Sequence, residues 1–174
     1  MEKPQNLILV IFGASGDLTK RKLVPALYDL YKQNLLPDGF AILGVGRTQL
    51  SDDTFRTDMG KGIKTFSNEG SLDDSLVKDF LLKLHYLSIN TKSPEDYALL
   101  KNKLSALDSV LNSKENFIYY LAIPPDMYEV VTANIGRQER GSQVQGNLNC
   151  QKSDRANPLP KTLSPHPPFG PKRQ

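Results

Sequence analysis

The 174-residue chain contains one cysteine, no tryptophan and two histidines. A single thiol excludes an internal disulfide framework, so any fold must rest on its apolar core. No apolar run is longer than the seven residues of 117–123, far short of the ~20 that cross a bilayer. The first run, 7–12, is too short for the apolar region of a secretory signal. These absences predict a cytoplasmic protein with no membrane partner.

The chain is also uneven. Residues 137–174 carry seven Lys/Arg against two Asp/Glu, hold six of the twelve prolines, and include Cys150 and His166. Only seven of these 38 residues are hydrophobic, too few to offset the entropy of ordering the segment. The reading is therefore one domain over 1–136 and a Pro-rich, basic, disordered tail over 137–174. Seven scattered cations and one aromatic, Phe169, make a poor footprint for nucleic acid, and no such partner is expected.

Strand and helix patterns alternate through residues 1–136. Leu7–Phe12 is a continuous apolar run, as in a strand buried on both faces. Leu23, Ala26, Leu27, Leu30 and Tyr31 then repeat at helical spacing, with Pro25 either opening the regular helix or kinking it. Residues 40–45 form a second strand, and Thr54, Phe55 and Met59 suggest a short helix. Leu72 to Leu84 marks another helix, which feeds a strand near residues 86–89. Ser93-Pro94 starts a helix with Ser93 as its cap, its apolar face running from Tyr97 to Leu111. A fourth strand over 117–123 ends at Pro124-Pro125, and a last helix carries Met127, Val130, Val131 and Ile135. This βαβαβαβα order predicts an α/β, Rossmann-like, doubly wound parallel sheet.

Chemistry concentrates where the first strand ends. Gly13-Ala14-Ser15-Gly16-Asp17-Leu18 is a GxxG turn, with Thr19 where a third glycine often stands. Taken alone, the pattern also fits a plain turn. Between the first strand and first helix of a doubly wound sheet, however, it is where dinucleotides bind, with phosphate against main-chain N–H groups. Lys20, Arg21 and Lys22 follow, either neutralising phosphate or forming a solvated helix face. No Gly-Lys-Ser/Thr stands at the offset a P-loop requires. At the end of the second strand an NAD site carries an acid for the ribose 2′-hydroxyl. Here Arg47 and Thr48 follow Gly44-Val45-Gly46, and no acid appears before Asp52. A guanidinium at this point suits the 2′-phosphate of NADP, the alternative being an ordinary surface arginine.

The stretch from Gly13 to Tyr28, GASGDLTKRKLVPALY, closely resembles the coenzyme turn of the glucose-6-phosphate dehydrogenase family. Gly44–Thr48 resembles the end of that family's second strand, and Tyr119-Tyr120-Leu121-Ala122-Ile123-Pro124-Pro125 resembles its Y-L-A-x-P-P motif. The resemblance covers residues 6–136. It implies that Gly13, Ala14, Ser15, Gly16, Asp17 and Leu18 wrap the pyrophosphate of NADP and that Arg47 binds the 2′-phosphate. It further implies that Tyr120 borders the nicotinamide, that Lys22 lies near nicotinamide and substrate, and that Ser88-Ile89-Asn90 flanks the adenine side. The full-length family is oligomeric and oxidises glucose 6-phosphate, the first step of the pentose phosphate pathway. Its histidine base stands in an Asp-His-Tyr-Leu-Gly-Lys motif, and a Glu-Lys-Pro-Phe-Gly loop helps place the sugar. Neither motif occurs in this sequence. The expectation is an incomplete coenzyme domain with no catalytic residue and no metal, followed by an out-of-frame tail. The alternative is a stand-alone NADP-binding module without chemistry.

Overall fold

The computed structural model describes residues 3–67 and 72–140. Four strands form one parallel sheet: β1 (Leu7–Phe12), β2 (Phe40–Gly46), β3 (Leu84–Ser88) and β4 (Phe117–Leu121). Their spatial order is β3-β2-β1-β4, so the chain moves outward from β1 to β3 and then crosses back to place β4 on the other side. That reversal opens a crevice at the C-terminal end of β1.

Helices cover both faces. A π-helical turn (Thr19–Leu23) leads into α1 (Val24–Lys32), which packs with α2 (Asp52–Phe66) and α3 (Asp74–Leu82) on one side. There Ile11, Phe40, Ile42 and Leu84 of the sheet meet Val24, Tyr28, Phe55, Ile63 and Phe80. On the other side α4 (Tyr97–Leu111) and α5 (Tyr128–Arg140) cover Ile8, Val10, Phe12, Leu43 and Val45. All seven residues of β2 are buried, which explains why its sequence is apolar without alternation. The expected α/β doubly wound architecture is therefore present.

Several boundaries differ from the sequence reading, each for a physical reason. The helix expected as a short piece around Thr54–Met59 is the 15-residue α2. Ser51 caps it by accepting the Thr54 N–H at 3.1 Å. Its glycines disguise it, and one serves close packing: a Cβ on Gly62 would lie 2.5 Å from the Lys20 carbonyl oxygen. Strand β3 begins at Leu84 rather than Tyr86, since Leu84 pairs in register with Ile42 and fills the core. Ser93 precedes a 3₁₀ turn, Pro94–Asp96, and instead of capping α4 its hydroxyl donates to the Glu95 carboxylate at 2.7 Å. Pro25 is the second residue of α1, preceded by the π turn in which the Val24 N–H reaches the Thr19 carbonyl. Helix α5 runs through residues 137–140, four positions into the segment assigned to the tail. The rest of that segment, with Cys150, His166 and Phe169, lies outside the described residues.

The outer edge of β3 is closed by side chains of α2. Asp52 accepts the Tyr86 N–H at 2.7 Å, and Arg56 Nε donates to the Leu84 carbonyl at 2.9 Å. His85 Nδ1 lies 3.4 Å from Asp52 and Lys103 Nζ 3.7 Å from it. Burial pushes the Asp52 carboxyl upward, but the Tyr86 N–H, Lys103 and His85 together hold it below its ordinary value. Burial lowers the His85 pKa, and Asp52 offsets this only in part. No helix among the described residues is long and apolar enough to cross a membrane, and no group of them could hold a metal ion.

Candidate dinucleotide site

The turn after β1 is built on main-chain contacts to both neighbouring strands. The N–H groups of Gly13 and Ala14 donate to the Val45 carbonyl at 2.8 and 3.1 Å, and the Gly16 N–H closes the turn onto the Gly13 carbonyl at 2.9 Å. Gly13 adopts φ +80°, and a Cβ there would sit 2.2 Å from the Ala122 carbonyl oxygen just beyond β4. Glycine is required on both counts. Thr19, fully buried, directs its hydroxyl toward the Gly13 carbonyl at 3.5 Å, so a side chain occupies the usual third-glycine position.

These bonds divide the expected phosphate-wrapping segment. The amides of Gly13, Ala14 and Gly16 are spent inside the protein, whereas those of Ser15, Asp17 and Leu18 have no partner among the described residues. Ala14 is a buried packing residue, and a Cβ on Gly44 would approach its methyl to 2.8 Å. Ser15, Gly16, Asp17 and Leu18 are exposed. Unpaired N–H groups at an exposed helix start are the donors a diphosphate takes. The Asp17 carboxylate is drawn toward Arg21, 3.4 Å away. The geometry thus fits the pyrophosphate of a dinucleotide.

Beside the turn lies the end of β2. Arg47 is exposed, and its guanidinium has no hydrogen-bond or ion-pair partner among the described residues. Ser15 Oγ and Thr48 Oγ1 are 3.5 Å apart, so the turn and the Arg47–Thr48 loop are neighbours. Ser88 Oγ donates to the Arg47 carbonyl at 3.4 Å, bringing the end of β3 to the same place. Tyr120 on β4, opposite Ile11 in register, is 42% exposed, so its ring is available on the sheet face. Lys22 is exposed on the π turn. No hydrogen bond or ion pair among the described residues engages the Lys22 ammonium or the Tyr120 hydroxyl, and neither joins the contacts that unite Gly13–Leu18 with Arg47.

One participant escaped sequence reading. The Tyr86 hydroxyl donates to the Thr48 carbonyl at 2.9 Å, beneath the Arg47–Thr48 loop. Burial raises its pKa, and the adjacent Ser15 hydroxyl lowers it in part. Its alternation with Leu84 marks Tyr86 as inward-facing, but nothing in the sequence signals its polar end.

Comparison with known proteins agrees with this geometry. Residues 10–153 match the family model described as glucose-6-phosphate dehydrogenase, NAD binding domain. The chain is 41% identical over 141 residues to glucose-6-phosphate 1-dehydrogenase of Treponema pallidum (strain Nichols), covering 81% of this chain and 27% of that protein. It is 41% identical over 144 residues to the enzyme of Aggregatibacter actinomycetemcomitans, covering 83% and 28%. A solved glucose-6-phosphate dehydrogenase in complex with its substrate glucose-6-phosphate superimposes with a TM-score of 0.68 at 31% identity, covering 79% of this chain and 28% of that one. The chain thus spans little more than a quarter of the length of these relatives. By sequence and by fold, the chain belongs to the glucose-6-phosphate dehydrogenase family, within its NAD(P)-binding part.

Proposed function

We propose that this chain binds NADP and represents the coenzyme half of the reaction in which glucose 6-phosphate is oxidised to 6-phosphogluconolactone. The observation that carries the reading is Arg47, an exposed guanidinium at the end of β2, beside the amides of Ser15, Asp17 and Leu18, all without a partner among the described residues. Those amides hold the pyrophosphate, and Gly13, free to take a positive φ, lets the backbone turn beneath it. Arg47 pairs with the 2′-phosphate in a charge-assisted fork. Tyr120 borders the nicotinamide, and Lys22 stands ready for a phosphate or a substrate oxygen.

A bound nicotinamide supplies the hydride acceptor of such an oxidation. The chain must supply a base within hydrogen-bond reach of the sugar hydroxyl. His85 is the one histidine among the described residues, and it pairs with Asp52 on β3 opposite Leu43, short of the strand ends where the crevice opens. It does not serve as that base, and residues 1–136 act as a binding domain without turnover.

Calorimetric titration of the purified chain with NADP and NAD tests the proposal. The expected result is saturable binding of NADP, tighter than NAD, with Arg47→Ala removing most of the difference. Equal affinity for the two coenzymes, or no heat with either, refutes the assignment. An assay of NADPH formation from glucose 6-phosphate should show no turnover; rates like those of the relatives would reveal a base elsewhere in the chain.

A further inference from the structure

Tyr86 links β3 to the loop that follows β2. Its ring is 5% exposed and lies 5.0 Å, centroid to centroid, from that of Phe55. Its hydroxyl emerges from this apolar layer and donates to the Thr48 carbonyl at 2.9 Å. Thr48 Oγ1 in turn lies 3.5 Å from Ser15 Oγ on the opposite wall. The approach is possible because residue 46 is glycine: a Cβ there would meet the Tyr86 hydroxyl at 2.5 Å, but Ser15 Oγ at 3.4 Å and Tyr86 Cζ at 3.5 Å. The space above Gly46 is thus reserved for one oxygen atom.

Building on the NADP assignment, we propose that Tyr86 is a positioning residue for coenzyme selectivity, its hydroxyl fixing the Gly46–Thr48 loop so that Arg47 meets the 2′-phosphate. Gly46 is the buried end of β2, its carbonyl accepting the Ile89 N–H at 2.9 Å, whereas Arg47 and Thr48 beyond it are exposed. The Ser88 hydroxyl reaches the Arg47 carbonyl at 3.4 Å, a longer bond than that of Tyr86. A guanidinium on a loop held beforehand loses less freedom when it forms its fork, so the same contact binds more tightly. The device acts on NADP and leaves NAD, which has no 2′-phosphate, almost untouched.

The geometry makes a specific demand on a double-mutant cycle. Tyr86→Phe removes only the oxygen. Gly46→Ala keeps the oxygen but displaces it, and its Cβ meets nothing else closer than 3.4 Å. Each single variant should lower the NADP-to-NAD affinity ratio about five- to tenfold, the factor that one hydrogen bond commands. The double variant should fall no further than either alone, because both remove the same contact. All four proteins are compared by calorimetry with NADP and NAD, and their circular dichroism and melting curves verify that they fold alike. A merely structural tyrosine would weaken both coenzymes equally or neither, which overturns the proposal; so would additive losses in the cycle. Wild-type chain that binds no NADP overturns the coenzyme assignment and this inference together. Wild-type preference for NADP with an unchanged ratio in Tyr86→Phe overturns the inference alone.

Discussion

Gly13→Ala is the sharpest test of how the turn is built. Alanine at φ +80° meets the left-handed penalty, about 1–2 kcal/mol. Its Cβ would also lie 2.2 Å from the Ala122 carbonyl oxygen, about an ångström inside ordinary contact, so backbone must move. The segment next to that oxygen is anchored by the Ala122 N–H donating to the Phe12 carbonyl at 2.9 Å, a bond worth about 1 kcal/mol net. The expected loss is about 2–4 kcal/mol. With a urea m-value of about 2 kcal/mol/M, the unfolding midpoint falls by about 1–2 M. Gly16→Ala is the matched control. Gly16 has no positive φ, and its Cβ would stand 3.0 Å from the Gly13 carbonyl, which a few tenths of an ångström relieve. It should cost less than about 1 kcal/mol of stability and instead weaken NADP binding, since the methyl intrudes where phosphate approaches the main chain. Paired denaturation curves decide the matter: a Gly13→Ala loss below 1 kcal/mol, or equal losses for the two variants, refutes the account.

Phe55→Ala empties a fully buried site between the Gly44 backbone and the Tyr86 ring and should cost about 3–5 kcal/mol by chemical denaturation. Ser51→Ala removes the α2 cap at Thr54 and should cost about 1 kcal/mol, with Ser51→Thr restoring most of it. The Asp52 carboxyl is held below its ordinary value of 3.8, so its contribution to stability is complete above that pH and is lost as pH falls through the lower, folded value; Asp52→Asn should flatten this part of the stability profile. The His85 pKa lies below its ordinary 6.5, so its neutral form is preferred in the fold and stability declines as pH drops below 6.5; NMR titration of the imidazole should show a depressed midpoint.

The sheet was legible because β1 and β2 are buried on both faces and so read as unbroken apolar runs. The turn was legible because Gly13 and Gly16 punctuate it at fixed spacing. Helix α2 was hidden in length by Gly60 and Gly62, whose low helix propensity is overridden by packing against Leu81 and Lys20. The site was half legible. Arg47 stands out by charge where an acid is usual, but which amides of the turn the Val45 carbonyl takes and which it leaves unpaired among the described residues depends on the parallel pairing of β1 with β2, a tertiary fact absent from local pattern. Tyr86 is farther still from sequence reach, 38 residues from the carbonyl it holds.

The side chains that seal β3 also decide where the molecule is sociable. Tyr86 N–H and the Leu84 carbonyl, the groups a docking strand would seek, are already taken by Asp52 and Arg56, and charge stands guard over that flank. The opposite flank is β4, whose FIYYL sequence bears no charge and leaves Ile118 and Tyr120 nearly half open to solvent. For any strand that would join the sheet, the β3 flank is therefore a dead end.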